Sequence, residues 1–347
     1  GVSLKLGNFL KKNNIFSSKI LLIIDNKVPN NFVRNIKKSI KQKKFSIYLK
    51  SSEKNKSQKN VDLITNFLLR KNFKRNDCVV SIGGGIIGDL TGYAASIFKR
   101  GIFYVNIPTT LLAQVDSSIG GKTGINSKYG KNLIGSFYQP KLVISDISFL
   151  KSLPKREIFC GYAEIFKHSL ISDRNFFNFL NQNIEKILNL KTPFIEKSIY
   201  KSCNIKKNVV QSDFKEKGLR KILNFGHTFG HAYETSFGYS SKLNHGEAVI
   251  LGISSAAKFS HNTKILNTKD YKLISEHIKK INNNLRLKNY FKKNNIKKIT
   301  KIMLNDKKNS DEKINLILLK KIGITSFKNK YNLKKIENFF LNHFNTI

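Results

Sequence analysis

Three of the seven histidines of this chain lie close together, within the segment 223–248. His227 and His231 are four residues apart, and His245 follows fourteen residues after His231. In a helix, side chains at positions i and i+4 project from the same face, so the first two imidazoles can bind one ligand. The spacing predicts an open, catalytic type of metal site that uses His227 and His231, with surface or core histidines as the alternative. The neighbouring glycines are Gly226, Gly230 and Gly246. Because glycine has no side chain, we expect them to let a ligand approach closely.

A second candidate is the glycine-rich segment Gly83–Asp89, which reads GGGIIGD between a predicted strand and a predicted helix. Its Gly-x-Gly-x-x-Gly spacing lets a pyrophosphate approach backbone N–H groups at the start of a helix. A tight strand-to-helix turn explains the glycines equally well. The segment follows the third predicted strand rather than the first, which argues against the ordinary dinucleotide-binding fingerprint. If a dinucleotide binds, its adenosine end is expected near the ends of earlier strands, at Asp25, Glu53 and Lys56.

The segment Pro108–Gly135 carries hydroxyl, ammonium and amide groups in a long stretch rich in turn residues. Lys122 follows a glycine pair, and Lys131 and Asn132 follow another glycine. Such groups can bind a phosphate or a carboxylate, so we favour a functional loop over a plain surface loop.

Two further segments give no chemistry by themselves. Glu164 and Lys167 are three residues apart in a predicted helix, where a solvated ion pair is the simpler interpretation. The segment Asp306–Lys313 has the composition of a loop.

Strand-like and helix-like segments alternate in the first half of the chain, which predicts a doubly wound parallel sheet. Predicted strands are Lys19–Asp25, Phe45–Leu49, Asp77–Ile82 and Ile102–Ile107, with helices near 30–41, 61–71 and 86–98. From about Leu153 the apolar residues recur at helical spacing, with one strand-like run, Lys313–Gly323, that can form a hairpin. The sequence therefore predicts an α/β dinucleotide-binding domain over residues 1–150 and a mainly helical metal-binding domain over residues 151–347.

Composition limits the class of protein. The 347 residues are 40% hydrophobic, and no run of 18 apolar residues occurs, so a membrane span is not expected. The first residues lack the apolar core of a secretory signal. The three cysteines are far apart and lack metal-type spacing, which is typical of reduced thiols in a cytoplasmic protein.

The formal net charge of +41 has two explanations. A basic surface attracts nucleic acid, but no zinc-finger, RNP-type or basic-region motif accompanies the charge. The lysines are spread over the chain together with many Asn, Ile and Phe, a mixture that indicates drift toward AT-rich codons. We therefore expect no specific nucleic-acid partner; an RNA-binding protein, the alternative from another class, would need no metal site.

Several of these segments, in order, closely resemble the 3-dehydroquinate synthase family of sugar-phosphate cyclases. The matching blocks include GGGIIGDLTGYAAS, RGIFYVNIPTTLLAQVDSSIGGKTGIN, GKNLIG, GYAEIFKH, LNFGHTFGHAYE and NHGEAV. The resemblance runs from Glu53 to about Gly323. A sister sugar-phosphate cyclase is the nearest alternative, and a polyol dehydrogenase of similar two-domain build is a more distant one. Relatives usually begin with a short strand before the part that matches Gly1, so we expect a trimmed N-terminus.

The resemblance implies a reaction and two cofactors. The family converts 3-deoxy-D-arabino-heptulosonate 7-phosphate into 3-dehydroquinate and phosphate in the shikimate pathway. NAD+ oxidises the substrate transiently, phosphate is eliminated, the ketone is reduced again and an aldol step closes the ring. The family also uses Zn2+, for which Co2+ can substitute, and forms a homodimer.

The resemblance also assigns residues, and it revises the histidine pairing. The metal ligands match Glu164, His227 and His245, which leaves His231 beside the substrate for proton transfer. Other catalytic matches are Lys122, Lys167 and Asp116. Substrate-binding matches are Arg100, Lys131, Asn132, Lys206, Arg220, Asn224 and Lys308 (or its neighbour Lys307), with Arg100 able to act across a dimer interface. Cofactor-binding matches are Asp25, Glu53, Lys56, Gly84, Gly85, Asp89, Thr109, Thr110, Lys122, Lys131, Phe149 and Ser152.

Overall fold

The computed structural model describes residues 1–238, 240, 242–282, 284–304 and 313–343. These residues divide into two compact units, Gly1–Ile158 and Phe159–Ile347. The division that the sequence predicts, after residue 150, falls near the end of the first unit. The helix Lys155–Ser172 begins in the first unit and continues in the second.

The first unit alternates strands and helices, as the sequence predicts. Its strands are β1 (Lys19–Asp25), β2 (Lys43–Leu49), β3 (Cys78–Gly83), β4 (Phe103–Pro108), β5 (Lys122–Ser127), β6 (Gly130–Phe137) and β7 (Leu142–Val143). Its helices are α1 (Leu6–Lys12), α2 (Asn30–Ser39), α3 (Gln58–Arg70) and α4 (Gly85–Ile97). The predicted α/β fold class is confirmed, and the strand predicted at Lys19–Asp25 has those bounds.

Five of the strands form one parallel sheet in the order β2-β1-β3-β4-β7. Residues that alternate along β1 belong to two hydrophobic cores, with Leu22 on one face and Leu21 on the other. Burial on both faces explains why this strand is a continuous apolar run. Strands β5 and β6 form a separate antiparallel hairpin.

The second unit is mainly helical. Its helices are α5 (Lys155–Ser172), α6 (Arg174–Gln182), α7 (Ile184–Leu188), α8 (Phe194–Ser212), α9 (His227–Ser236), α10 (His245–Asn262), α11 (Thr268–Ile281), α12 (Ile296–Leu304) and α13 (Leu333–His343). The predicted hairpin is present as the antiparallel strands β8 (Lys313–Lys321) and β9 (Ile324–Asn332). No helix among the described residues has the length and hydrophobicity needed to cross a membrane.

Aromatic side chains join the helices of this unit. Phe229 of α9 lies 6.4 Å from Phe259 of α10 between ring centroids, and 5.8 Å from Phe340 of α13. Phe229, Phe259 and Phe340 are all buried. This packing fixes α9 against α10, the two helices whose first residues are His227 and His245.

Candidate metal centre and cofactor-binding edge

Glu164, His227 and His245 converge in the second unit. The Nε2 atoms of His227 and His245 lie 3.3 Å and 3.5 Å from Glu164 Oε1, and one ligand atom from each residue lies within 4.8 Å of the others. Neither oxygen of Glu164 accepts a well-directed hydrogen bond within the described chain. Two ligands about 2.1 Å from a tetrahedral zinc ion lie roughly 3.4 Å apart, so the observed separations fit a shared ion.

Local structure places each of these residues. Glu164 lies in the buried middle of α5, while His227 and His245 are the first residues of their helices. A capping box fixes the start of α10: Asn244 Oδ1 accepts from the Glu247 backbone N–H at 2.8 Å, and Glu247 Oε2 accepts from the Asn244 N–H at 2.9 Å. The backbone that carries His245 is therefore held by two hydrogen bonds.

The glycines near the histidines serve helix packing. A Cβ atom on Gly230 would lie 2.8 Å from the carbonyl oxygen of Ala248, and one on Gly246 would lie 2.3 Å from the Cα atom of Cys160. Gly226 has φ +77°, which other residues adopt at a cost. The expectation that these glycines make room for a ligand is therefore wrong, because their space is filled by neighbouring backbone.

Glu164 and Lys167 form a buried ion pair rather than a solvated one. The side chain of Glu164 is 0% exposed and that of Lys167 is 2% exposed. The interpretation of this pair as solvated is wrong, because α5 is enclosed on the face that carries both residues. Burial alone would raise the pKa of Glu164, but the Lys167 ammonium and the imidazole of His227 outweigh burial and hold that pKa well below its ordinary range.

The pKa values of His227 and His245 shift in opposite directions. Burial and the nearby Lys167 charge lower the pKa of His227, which favours the neutral imidazole that binds metals. Burial alone would also lower the pKa of His245, but the carboxylates of Glu164 and Glu234 outweigh it and raise this pKa to about 10. A cation that binds here must therefore displace a proton from His245.

The other sequence-predicted residues of the second unit lie on α8, on α9 and on the short 3-10 helix Leu219–Asn224 between them. His231 is one turn along α9, with its ring centroid 5.1 Å from that of His227, and it does not belong to the group of converging ligand atoms. Lys206 and Arg220 are buried cations, 7% and 3% exposed. Asn224 donates to Glu216 Oε1 at 2.9 Å. Lys308 lies outside the described residues.

In the first unit, five of the residues matched to cofactor binding lie at the carboxyl edge of the parallel sheet. Asp25 ends β1, Gly84 and Gly85 start α4 just after β3, and Thr109 and Thr110 follow β4. From β1 the chain continues to β2 on one side of the sheet, and from β3 it continues to β4 on the other side. Ligands of such sheets bind between the two strands where this direction reverses, at the switch point. The glycine turn therefore lies at the switch point even though it follows the third strand.

The start of α4 suits a phosphate group. The first turn of a helix leaves backbone N–H groups without partners inside the helix, and its dipole favours an anion. A Cβ atom on Gly85 would lie 2.9 Å from Ser117 Oγ, and one on Gly84 would lie 3.2 Å from the Thr110 side chain. Side chains at these two positions would therefore press against Ser117 and Thr110.

A polar network joins residues matched to cofactor binding with residues matched to phosphate binding. Lys131 Nζ lies 3.2 Å from Glu53 Oε1, and Lys56 Nζ lies 2.6 Å from Asp89 Oδ2 while it also donates to Asn132 Oδ1. Lys131 and Asn132 therefore lie beside Glu53 and Lys56.

The remaining matches of this unit differ in how they are presented. Lys122 is exposed at the start of β5, and Arg100 is exposed with φ +63°. Asp116 is half-buried in a short π-helix, Ala113–Ser117. The Phe149 side chain lies in the core, 4.8 Å from Phe32 between centroids, so only its backbone can face a ligand, and Ser152 Oγ donates to that backbone carbonyl at 2.7 Å.

Sequence reasoning missed two polar residues. Glu234 Oε2 lies 3.2 Å from His245 Nδ1, and the i+3 spacing from His231 was the available signal for its place on the same face of α9. Asn126 Nδ2 donates to Glu53 Oε2 at 2.7 Å, and its Oδ1 accepts from the Asn132 N–H at 3.0 Å. No spacing rule connects Asn126 with Glu53, because the contact joins a hairpin to a 3-10 helix more than 70 residues earlier in the chain.

Two protein-family models match adjoining parts of the chain. A family model described as 3-dehydroquinate synthase N-terminal matches residues 46–160, and one described as 3-dehydroquinate synthase C-terminal matches residues 161–309. The 3-dehydroquinate synthase of Pelagibacter ubique (strain HTCC1062) is 57% identical over 338 residues, which cover 97% of this chain and 92% of the relative.

Solved structures of sugar-phosphate cyclases share the fold. A 2-deoxy-scyllo-inosose synthase, complexed with carbaglucose-6-phosphate, NAD+ and Co2+, aligns with a TM-score of 0.87 at 23% identity over 99% of this chain and 95% of that one. The 2-epi-5-epi-valiolone synthase of Streptomyces hygroscopicus, with NAD+ and Zn2+ bound, aligns with a TM-score of 0.82 at 23% identity over 94% and 91%. At this identity the likeness concerns the fold.

Proposed function

Since this chain belongs to the 3-dehydroquinate synthase family, we propose that Glu164, His227 and His245 hold a zinc ion for that family's reaction. The reaction converts 3-deoxy-D-arabino-heptulosonate 7-phosphate into 3-dehydroquinate and phosphate, so the chain is a phosphate-eliminating lyase of the shikimate pathway. The observation that carries the ligand assignment is the convergence of one carboxylate and two imidazoles at separations of 3.3 Å and 3.5 Å.

The donor set supports a catalytic metal. Three protein ligands leave a coordination position for substrate, as in catalytic zinc sites, whereas structural sites use four. A bound zinc ion would supply Lewis-acid polarisation of substrate hydroxyl oxygens. His231 lies beside the ligand group without belonging to it, so we assign it to proton transfer with the substrate.

The second unit also supplies positive charge for an anionic substrate. Lys167, Lys206 and Arg220 are all buried, and buried ammonium and guanidinium groups bind carboxylate and hydroxyl oxygens strongly in a medium with little water. We propose that these three residues and Asn224 orient the substrate's carboxylate and hydroxyls. Lys308 is assigned to the same role from the sequence alone.

We assign the cofactor to the carboxyl edge of the first unit. Gly84 and Gly85 at the start of α4 would receive the pyrophosphate, and Asp25 with Glu53 would receive the adenosine end. When bound, NAD+ would supply a hydride acceptor that is restored within the same turnover. Other contacts proposed for the cofactor are Lys56, Asp89, Thr109, Thr110, Lys122, Lys131, Phe149 and Ser152, and we also assign Asp116 and Lys122 to catalysis.

The substrate phosphate is assigned to the same unit. Arg100, Lys131 and Asn132 provide the guanidinium, ammonium and amide donors that a phosphate monoester requires. We further propose a cytoplasmic homodimer in which Arg100 acts across the interface.

Product analysis tests this function. The chain is incubated with the heptulosonate phosphate, NAD+ and Zn2+, and phosphate, 3-dehydroquinate and NADH are measured together. We expect equal amounts of phosphate and 3-dehydroquinate without accumulation of NADH. Net NADH would indicate a polyol dehydrogenase, and turnover of other sugar phosphates alone would indicate a sister cyclase; either result would overturn the proposal.

A further inference from the structure

The Nδ1 atoms of the two proposed histidine ligands face different partners. His227 Nδ1 faces the backbone carbonyl of Phe225 at 3.3 Å, a contact two residues away in the same chain segment. His245 Nδ1 faces the side chain of Glu234 at 3.2 Å, eleven residues away on another helix. In both residues Nε2 is the nitrogen that faces Glu164.

An acceptor at Nδ1 decides which nitrogen can bind a metal. In the neutral imidazole one nitrogen carries the proton and the other has the free lone pair. A carboxylate at Nδ1 keeps the proton on that nitrogen and so leaves the lone pair on Nε2, the atom that faces Glu164. The contact also prevents rotation of the ring.

The position of Glu234 suits this task. It lies on α9, two turns beyond His227, so the helix that supplies one ligand also supplies the orienting group for the other. The Glu234 side chain is 14% exposed and that of His245 is 31% exposed, so solvent screens the contact only in part. The i+3 relation to His231 keeps Glu234 on the face of α9 that carries the site.

We propose that Glu234 is a positioning residue that holds His245 with Nε2 directed at the metal. The inference rests on the proposed function, because it takes the group of Glu164, His227 and His245 as the metal site. Glu234 itself would not coordinate the ion. Without its carboxylate, the His245 ring would populate both tautomers and more than one orientation.

Zinc affinity of the metal-free, full-length chain tests the proposal directly. Competition with a chromogenic chelator gives the affinity of the parent, Glu234→Ala, Glu234→Gln and the control Glu276→Ala. Loss of such an orienting group weakens metal binding about 10- to 100-fold, which we expect for Glu234→Ala. The neutral amide oxygen of Glu234→Gln accepts a weaker bond, so its affinity should lie between those of Glu234→Ala and the parent. Exposed Glu276 on α11 carries the same charge, and its removal should leave the affinity unchanged.

The visible spectrum of the Co2+-loaded chain separates positioning from general destabilisation. We expect Glu234→Ala to change the ligand-field bands of bound Co2+, whereas Glu276→Ala should keep the parent spectrum. Unchanged zinc affinity and Co2+ spectrum in whichever Glu234 variant folds would overturn the positioning role. A parent chain that binds neither metal would overturn the proposed function instead.

Discussion

Gly252→Ala probes the contact between α9 and α10 that sets the distance between His227 and His245. A Cβ atom at residue 252 would lie 2.2 Å from the carbonyl oxygen of Gly226 and 2.7 Å from the backbone nitrogen of Gly230. Ordinary contacts to carbon are longer by about 1 Å, so the helices must separate by roughly that distance. Both neighbours are backbone atoms, which a change of side-chain rotamer cannot move.

The magnitude follows from two opposed effects. Overpacking of this kind costs about 3 kcal/mol at the upper end of its usual range. Alanine in place of glycine in the middle of a helix would by itself stabilise by about 1 kcal/mol. We therefore expect Gly252→Ala to lower the free energy of unfolding by about 2 kcal/mol. A displacement of about 1 Å is also large for a metal site, so zinc affinity should fall as well.

Urea unfolding and zinc competition on the same samples measure both effects. Ser254→Ala, at a partly exposed position of the same helix, serves as the control and should change the free energy of unfolding by only a few tenths of a kcal/mol, since serine and alanine differ little in helix propensity. If Gly252→Ala were more stable than the parent and bound zinc equally well, the close approach of α9 and α10 would be refuted.

Three further perturbations test other parts of the molecule. Asn244→Ala removes the side-chain cap of α10 at Glu247 and should lower the free energy of urea unfolding by about 1 kcal/mol; an unchanged value would contradict the capping box. Burial lowers the pKa of His277 from 6.5 to about 3, so as the pH falls below 6.5 the unfolded chain takes up a proton that the folded chain does not. This contribution to stability is complete above pH 6.5 and should be smaller by about 2 kcal/mol at pH 5. The variant His277→Gln should not show this loss. The same pH dependence of stability in the parent and in His277→Gln would exclude a buried neutral ring. Glu164→Gln leaves the buried Lys167 ammonium without its carboxylate and should destabilise the metal-free chain by about 3 kcal/mol in urea, whereas equal stability would show that the pair is not buried.

The elements of the first unit could be predicted from local pattern alone. Strand β1 is buried on both faces, so its continuous run of aliphatic residues is a sufficient signal. The order of the strands could not be predicted in this way. The sequence places Gly83–Asp89 after the third strand, and only the pairing of β3 with β1 shows that this turn lies at the switch point.

The metal centre depends on packing between distant segments. The four-residue spacing of His227 and His231 predicts a shared ligand, and it says nothing of Glu164, which reaches the group through packing of α5. The resemblance to a known family named Glu164, and the structure brings its carboxylate to the two imidazoles. Burial of the Glu164–Lys167 pair could not be predicted from the sequence either, because a three-residue spacing occurs on exposed helices and on enclosed ones.

Zinc-dependent release of phosphate from 3-deoxy-D-arabino-heptulosonate 7-phosphate is tested most directly by one measurement. Phosphate release is followed with NAD+ present in the parent chain before chelation, after chelation and after zinc is added back. We expect the chelator to abolish release, zinc to restore it, and His245→Ala to show no release under any of the three conditions. Release that persists at full rate without metal, or no release from folded and zinc-loaded parent chain, would contradict the account.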